Sequence, residues 1–211
     1  SRIYPFKRDS LIFFQKENYF KWFFSLDDDN YELSMAGTYQ PNNMLLAFSI
    51  LEFLSKNYAF DLKIALKVLS NIKWHARLQT LPDGKILDGA HNIEGIKALL
   101  SSILTTFSNK KFTIIFGCLE ERNPKEALFQ LFQIAERFVF VPITTSRRCY
   151  NPSRMLDLID DSEIKQKSSA CSSIEEALAI TQNDPTIIAG SLYLAGEILQ
   201  KYYTKEEILK I

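Results

Sequence analysis

Glycine is scarce in this chain, with seven in 211 residues, and their spacing excludes the usual phosphate loops. No GxxxxGK followed by Ser or Thr is present; the one Gly-Lys pair, Gly84-Lys85, runs into Ile86. No GxGxxG follows a strand-like run either, so the dinucleotide fingerprint is missing. Cysteine is nearly as sparse. Cys118, Cys149 and Cys171 are odd in number, far apart and without a CxxC, which argues against a disulfide framework and against a zinc site. A reducing compartment is the default for such a chain, and a cytoplasmic location is expected. The longest apolar run, "LLAFSILEFL" at 45–54, is too short for a bilayer span, and no signal peptide is legible. Charge of one sign is also missing. Basic and acidic residues number 25 each, divided ten to eight up to Arg77 and fifteen to seventeen after it. Neither part is a polybasic binder, so neither nucleic acid nor membrane is an expected partner. The first residue is Ser1 rather than methionine, and the sequence reads as a piece of something longer.

What is present is a chain able to fill a core, with 46% hydrophobic residues. Residues 1–36 are aromatic and strand-like: "LIFFQ" and "YFKWFF", then the acidic turn "DDDN" and "YELSMAG", a pattern of hairpins. The period then changes. Residues 43–56 read as a helix, and a second helix follows Asp61, with Leu62, Ala65, Leu66, Leu69 and Ile72 at helical spacing.

From about residue 84 strands and helices alternate. Strands are expected at 85–89, 112–117, 137–143, weakly near 166–171, and at 186–190. Helix starts are marked by Asn123-Pro124, by Asn151-Pro152 and by the capping box Ser173-x-x-Glu176. Five strand–helix units in succession predict an α/β fold with a mostly parallel, Rossmann-like sheet covered by helices on both faces. The region before it is a hairpin-and-helix unit.

The stretch "ILDGAHNIEGIKALL" (86–100) concentrates Asp88, Gly89, His91 and Asn92 at one strand–helix junction. In an open α/β sheet ligands bind beyond the carboxyl ends of the strands, and helix N-termini there favour anions. Glu120 and Arg122 follow the second strand, Thr144, Thr145, Arg147 and Arg148 the third, and Ser191 the last. Read alone, Asp88, Asn92 and Ser191 are also ordinary helix caps, Arg77 is a surface arginine beside Trp74, and Asn43 is an amide near a helix start.

Four segments together resemble the Mur ligase superfamily, most closely its folylpolyglutamate synthase and dihydrofolate synthase branch. "GTYQPNNMLLA" keeps Gly37, Gln40, Asn43 and Ala47 of a Gly-x-His-Gln-x-x-Asn pattern, with Tyr39 in place of histidine. "WHARL" keeps Trp74, Arg77 and Leu78 of a Trp-Pro-Gly-Arg-Leu junction; "DGAHNI" (88–93) keeps all but the final proline; "GSLYLAGE" (190–197) matches the last junction. "EERN" (120–123) stands where the family tends toward Asp-Lys-Asp.

The resemblance implies the back of such an enzyme: residues 1–77 as the C-terminal part of a central ATPase domain, and 78–211 as the C-terminal α/β domain. It implies ATP and Mg²⁺ as cofactors, with the P-loop and most metal ligands in a missing N-terminal half. It also implies L-glutamate joined to a folate or dihydropteroate carboxylate through an acyl phosphate. Asn43, Arg77, Asp88 and Asn92 would contact ATP, with Asn43 on the adenine, Arg77 on the phosphates and Asp88 on the ribose. His91 would act at the reacting phosphate, and Ser191 would hold glutamate. Alone, the chain is expected to be inactive, and substitution of Arg77 or Asp88 is expected to spare folding. The competing reading is a non-catalytic nucleotide-binding or interaction module that keeps the fold.

Overall fold

A computed structural model describes the backbone of residues 2–8, 11–15, 21–26 and 29–209, and side chains within 22–26 and 29–209. Contacts divide the chain into two compact units, one ending at Trp74 and the other beginning at His75.

In the first unit β1 (Arg2–Arg8), β2 (Leu11–Gln15), β3 (Lys21–Leu26) and β4 (Asp29–Ala36) form an antiparallel sheet in chain order. Part of the acidic turn, and Tyr19-Phe20 of "YFKWFF", lie outside the described residues. Alternation sends Trp22, Phe24 and Leu26 of β3 to one face. There they meet Leu33 of β4, Met44 and Phe48 of α1 (Gln40–Ser55), and Leu66 of α2 (Leu62–Ser70). Helix α1 starts a turn earlier than its apolar pattern, because Pro41 fits a first turn whose N–H groups have no partner in the helix. Asp61 caps α2, its Oδ1 accepting from Lys63 and Ile64 N–H.

The second unit has a six-stranded sheet. Its strands are β5 (Gln79–Thr80), β6 (Ile86–Leu87), β7 (Phe112–Phe116), β8 (Ala135–Phe140), β9 (Ser169–Ala170) and β10 (Thr186–Ala189), in the order β5-β6-β10-β7-β8-β9. All pairings are parallel except β5 with β6. All five expected strands are present. The edge strand β5 is new; two residues cannot display an alternation, and its turn closes through Gly84 at φ +86°.

Helices α3 (Ile93–Thr106), α4 (Pro124–Leu131), α5 (Pro152–Leu156), α6 (Ser162–Lys167), α7 (Ile174–Ile180), α8 (Leu192–Tyr202) and α9 (Lys205–Leu209) complete the unit. Leu87, Ile115, Val139, Val141 and Ile188 pack on Ile174 and Ala177 of α7, and on Leu194, Ala195 and Ile198 of α8. The alternate, equally buried positions Ile86, Ile114, Phe138, Phe140 and Ile187 point to the opposite layer. Two-sided burial is why these strands read as continuous apolar runs. The capping box at α7 is shifted by one residue: Ser173 Oγ accepts from Glu176 N–H, while the Glu176 carboxylate accepts from Ser172 N–H. Among the described residues no helix is long and apolar enough to cross a membrane.

Candidate functional site

Three strand ends converge where β6, β10 and β7 stop, and they are packed backbone to backbone. Gly190 N–H donates to Ala90 O at 2.9 Å. Gly190 sits at φ +116°, and a Cβ there would lie 2.6 Å from Gly117 O. A side chain would have to displace a neighbouring main chain, so glycine is required by both conformation and space. This floor supports a cavity of about 240 Å³. Its walls come from His91, Asn92 and Ile96 around the start of α3, Phe116 at the end of β7 and Cys118 beyond it, and Arg122 just before α4 with Glu126 in its first turn.

His91 is half-buried, and its Nδ1–H donates to Gly89 O at 2.9 Å. A carbonyl can only accept, so this bond fixes the proton on Nδ1 and leaves Nε2 as the lone-pair nitrogen of the neutral ring. Asn92 is the N-cap of α3, its Oδ1 accepting from Gly95 N–H at 2.8 Å. Asn123 caps α4 in the same way through Lys125 N–H. The positive ends of two helices and the Arg122 guanidinium therefore border one cavity, with Glu121 and Glu126 as counter-charges. Glu121 in turn pairs with Arg148 at 2.9 Å. Burial pushes the Cys118 thiol up to about 12, so it stays protonated and is no nucleophile.

Asp88 does not cap α3; its carboxylate binds the protein's own main chain. It is buried, and its two oxygens accept from Leu78 N–H (2.9 Å) and Ala90 N–H (2.8 Å). Burial raises its carboxyl above the ordinary 3.8, against the pull of those two N–H groups and of nearby Arg77. The segment it holds is strained: Ala76 and Leu78 have φ of +55° and +49°, on either side of Arg77. Gln79 Oε1 accepts from Ala76 N–H, and Ala76 O accepts from Gly89 N–H. Asp88 and Gln79 thus pin the "HARLQ" turn against the "DGAHN" turn. The expectation that Asp88 can be replaced without cost to folding is therefore corrected. Sequence offsets alone could not show that residues ten apart share a carboxylate.

Ser191 is buried and caps α8, its Oγ accepting from Tyr193 N–H at 3.1 Å. Asn43 lies in the first unit and lines a separate, mostly apolar cavity of about 160 Å³ with Gln40, Met35, Met44, Ala47 and Leu69. Its Nδ2–H donates to Gln40 Oε1 at 3.1 Å.

Two residues escaped the sequence reading. Arg122 was visible only as a polar residue after a strand. Glu197, inside "GSLYLAGE", is buried on α8 and accepts from Thr144 Oγ1 and from both N–H and Oγ1 of Thr145 at 2.6–2.8 Å. Burial pushes its carboxyl up, but those hydrogen bonds outweigh it and hold it below 4.5. Thr144 and Thr145, expected among the polar groups after the third strand, are thus anchors of their own loop.

Residues 76–201 match the family model described as the C-terminal domain of dihydrofolate synthetase. The chain belongs to this family. It falls within the folylpolyglutamate and dihydrofolate synthase branch of the Mur ligase superfamily. The folylpolyglutamate synthase of Lacticaseibacillus casei is 29% identical over 177 residues, which are 80% of this chain and 40% of that protein. The dihydrofolate synthase/folylpolyglutamate synthase of Bacillus subtilis is 30% identical over 176 residues, with the same coverage. The fold of the Mycobacterium tuberculosis folylpolyglutamate synthase, solved with ADP and AMPPCP, superposes with a TM-score of 0.74 at 16% identity. The match covers 93% of this chain and 49% of that one. The chain thus spans less than half the length of these family members.

Proposed function

We propose that the chain supplies the C-terminal part of an ATP-dependent ligase that adds L-glutamate to the carboxylate of a folate or dihydropteroate. The observation that carries this reading is the cavity at the carboxyl ends of β6, β10 and β7, where His91 and Arg122 meet two helix N-termini inside a matching family domain. In such a reaction a substrate carboxylate oxygen takes the γ-phosphoryl group of ATP, releasing ADP. The glutamate amine then attacks the carbonyl carbon. Phosphate leaves with the C–O bonding pair, and the nitrogen loses a proton as the amide forms.

This chain's residues would mainly position and neutralise. His91 Nε2 can take a proton from the incoming ammonium, or donate to a phosphate oxygen once protonated. The Arg122 guanidinium suits a glutamate carboxylate. Ser191 adds a hydroxyl at the adjoining helix start, and Arg77 adds a cation on a turn held rigid by Asp88. In the first unit, the Asn43 amide over apolar walls suits a purine edge. Asp88 would serve the nucleotide mainly by holding that turn. Asn92 would act mainly as a helix cap.

Mg²⁺ would be held mostly by the part of the enzyme outside this chain. Among the described residues no group of three or more His, Cys, Asp or Glu side chains could hold a metal ion, so no step here is routed through one. The chain alone would not turn over ATP, because it has no P-loop motif.

The test is a chimera in which this chain replaces the matched part of the Bacillus subtilis relative. ATP-dependent glutamate addition to dihydropteroate or to a folate is expected. A folded chimera that forms neither product would overturn the reading and favour the non-catalytic module.

A further inference from the structure

Gln79 takes no part in the chemistry above, yet it holds the turn from which Arg77 extends. Its side chain folds back from β5 onto the two residues before Arg77. Oε1 accepts from Ala76 N–H at 3.0 Å and lies 3.2 Å from His75 Nδ1. A main-chain N–H can only donate, so the Gln79 atom facing it is the amide oxygen and not the nitrogen. The same oxygen places the proton of neutral His75 on Nδ1, which fixes that ring's tautomer as well. Tyr203 backs the ring at 6.2 Å between centroids.

The other main-chain groups around Arg77 are held too. Ala76 O accepts from Gly89 N–H at 2.8 Å, and Leu78 N–H donates to Asp88. Ala76 and Leu78 both lie in the left-handed region and neither is glycine, so contacts rather than residue type keep them there. Without the Gln79 acceptor Ala76 can relax to an ordinary conformation, and Arg77 turns with it.

The Arg77 guanidinium has little of its own to hold it. Among the described residues it forms no salt bridge, and its hydrogen bond to Ala76 O is 3.4 Å long. It lies against Gly89, where a Cβ would come within 3.2 Å of Nη1, and the carbonyl of that same glycine accepts from His91. The direction of Arg77, beside the turn that carries His91, is therefore set by its main chain.

We infer that Gln79 is a positioning residue for nucleotide binding: it keeps the strained turn that aims Arg77 at the phosphates of ATP. The inference rests on the proposed function, in which Arg77 supplies a cation to the nucleotide. Gln79 is half-buried on a two-residue edge strand, outside the buried core, so the fold does not depend on it.

The test measures ATP binding to the chimera by titration calorimetry. Gln79→Met keeps the length of the side chain without an acceptor, and Gln79→Glu restores an acceptor oxygen. Gln79→Met should raise the Kd for ATP about tenfold, and Gln79→Glu should stay within about threefold of wild type. In turnover, Gln79→Met should raise the KM for ATP and leave that for glutamate unchanged. Asp184→Asn weakens contacts to Arg137 and Thr113 at the opposite ends of the strands, so it controls for lost stability and should leave ATP affinity alone. Three results would overturn the inference: wild-type ATP affinity in folded Gln79→Met, a Gln79→Glu variant as weak as Gln79→Met, or the same loss in Asp184→Asn. The expected ATP pattern in a chimera that forms no amide would sink the functional reading and leave the role of Gln79 standing. Amide formation with ATP affinity indifferent to Gln79 would do the reverse.

Discussion

Asp88→Ala is the substitution whose cost can be worked out most fully. Removing the carboxylate leaves Leu78 N–H and Ala90 N–H without their acceptor in a buried turn. Each unsatisfied buried donor costs about 1–3 kcal/mol, and removing a desolvated charge offsets part of that, so a net loss of about 2–4 kcal/mol is expected. With a denaturant slope of about 2 kcal/mol per molar urea, the midpoint should fall by roughly 1–2 M. Circular dichroism at increasing urea reads this directly, and hydrogen exchange reads the cause, because the Leu78 and Ala90 amides should lose protection selectively.

The pH dependence adds a signed check. The folded carboxyl titrates above 3.8. Its contribution is therefore fully present below 3.8 and is lost as pH rises through the folded value. The gap between wild type and variant should widen as pH is lowered from neutral toward 3.8. An unchanged midpoint together with unchanged exchange at both amides would refute the bracing role.

Glu197→Gln should destabilise the second unit by about 1–2 kcal/mol, with the opposite pH sign. Its folded carboxyl lies below 4.5, so its contribution is present above 4.5 and lost as pH falls through the folded value, and urea midpoints across that window should converge with the wild type. Gly190→Ala meets Gly117 O in a left-handed conformation and should cost at least about 2 kcal/mol, read by thermal unfolding. Ser191→Ala should lower stability by about 1 kcal/mol through the lost cap. In the chimera it should also raise the KM for glutamate while leaving that for ATP unchanged; an unchanged glutamate KM would reduce Ser191 to a cap.

The central parallel strands were legible because burial on both faces makes them apolar runs between turn residues, as in "FTIIF" and "TIIA". Helix starts were legible where Asn, Asp or Ser stands before a proline or an apolar repeat; Asp61, Asn123, Asn151, Ser173 and Ser191 all cap through their side chains. What stayed hidden depends on residues distant in sequence. The Asp88 brace needs the "HARLQ" turn to fold back by ten residues, and Glu197 reaches Thr144 and Thr145 across more than fifty. Short elements such as β5 and α9 carry too few residues to show a period. The cluster of Asp88, His91 and Asn92 marked a junction that borders a cavity, but it could not show that Asp88 points into the protein while His91 lines that cavity. That division follows from the turn, not from the order of residues.

The central claim is that this domain serves an amide-forming reaction that passes through an acyl phosphate. The most direct measurement supplies the chimera with a folate or dihydropteroate substrate labelled with oxygen-18 in the reacting carboxylate, and follows the phosphate released by mass spectrometry. The account requires one labelled oxygen in each phosphate formed, with one ADP and one new amide bond. Unlabelled phosphate accompanying amide formation, or ATP turnover without any amide, would contradict it.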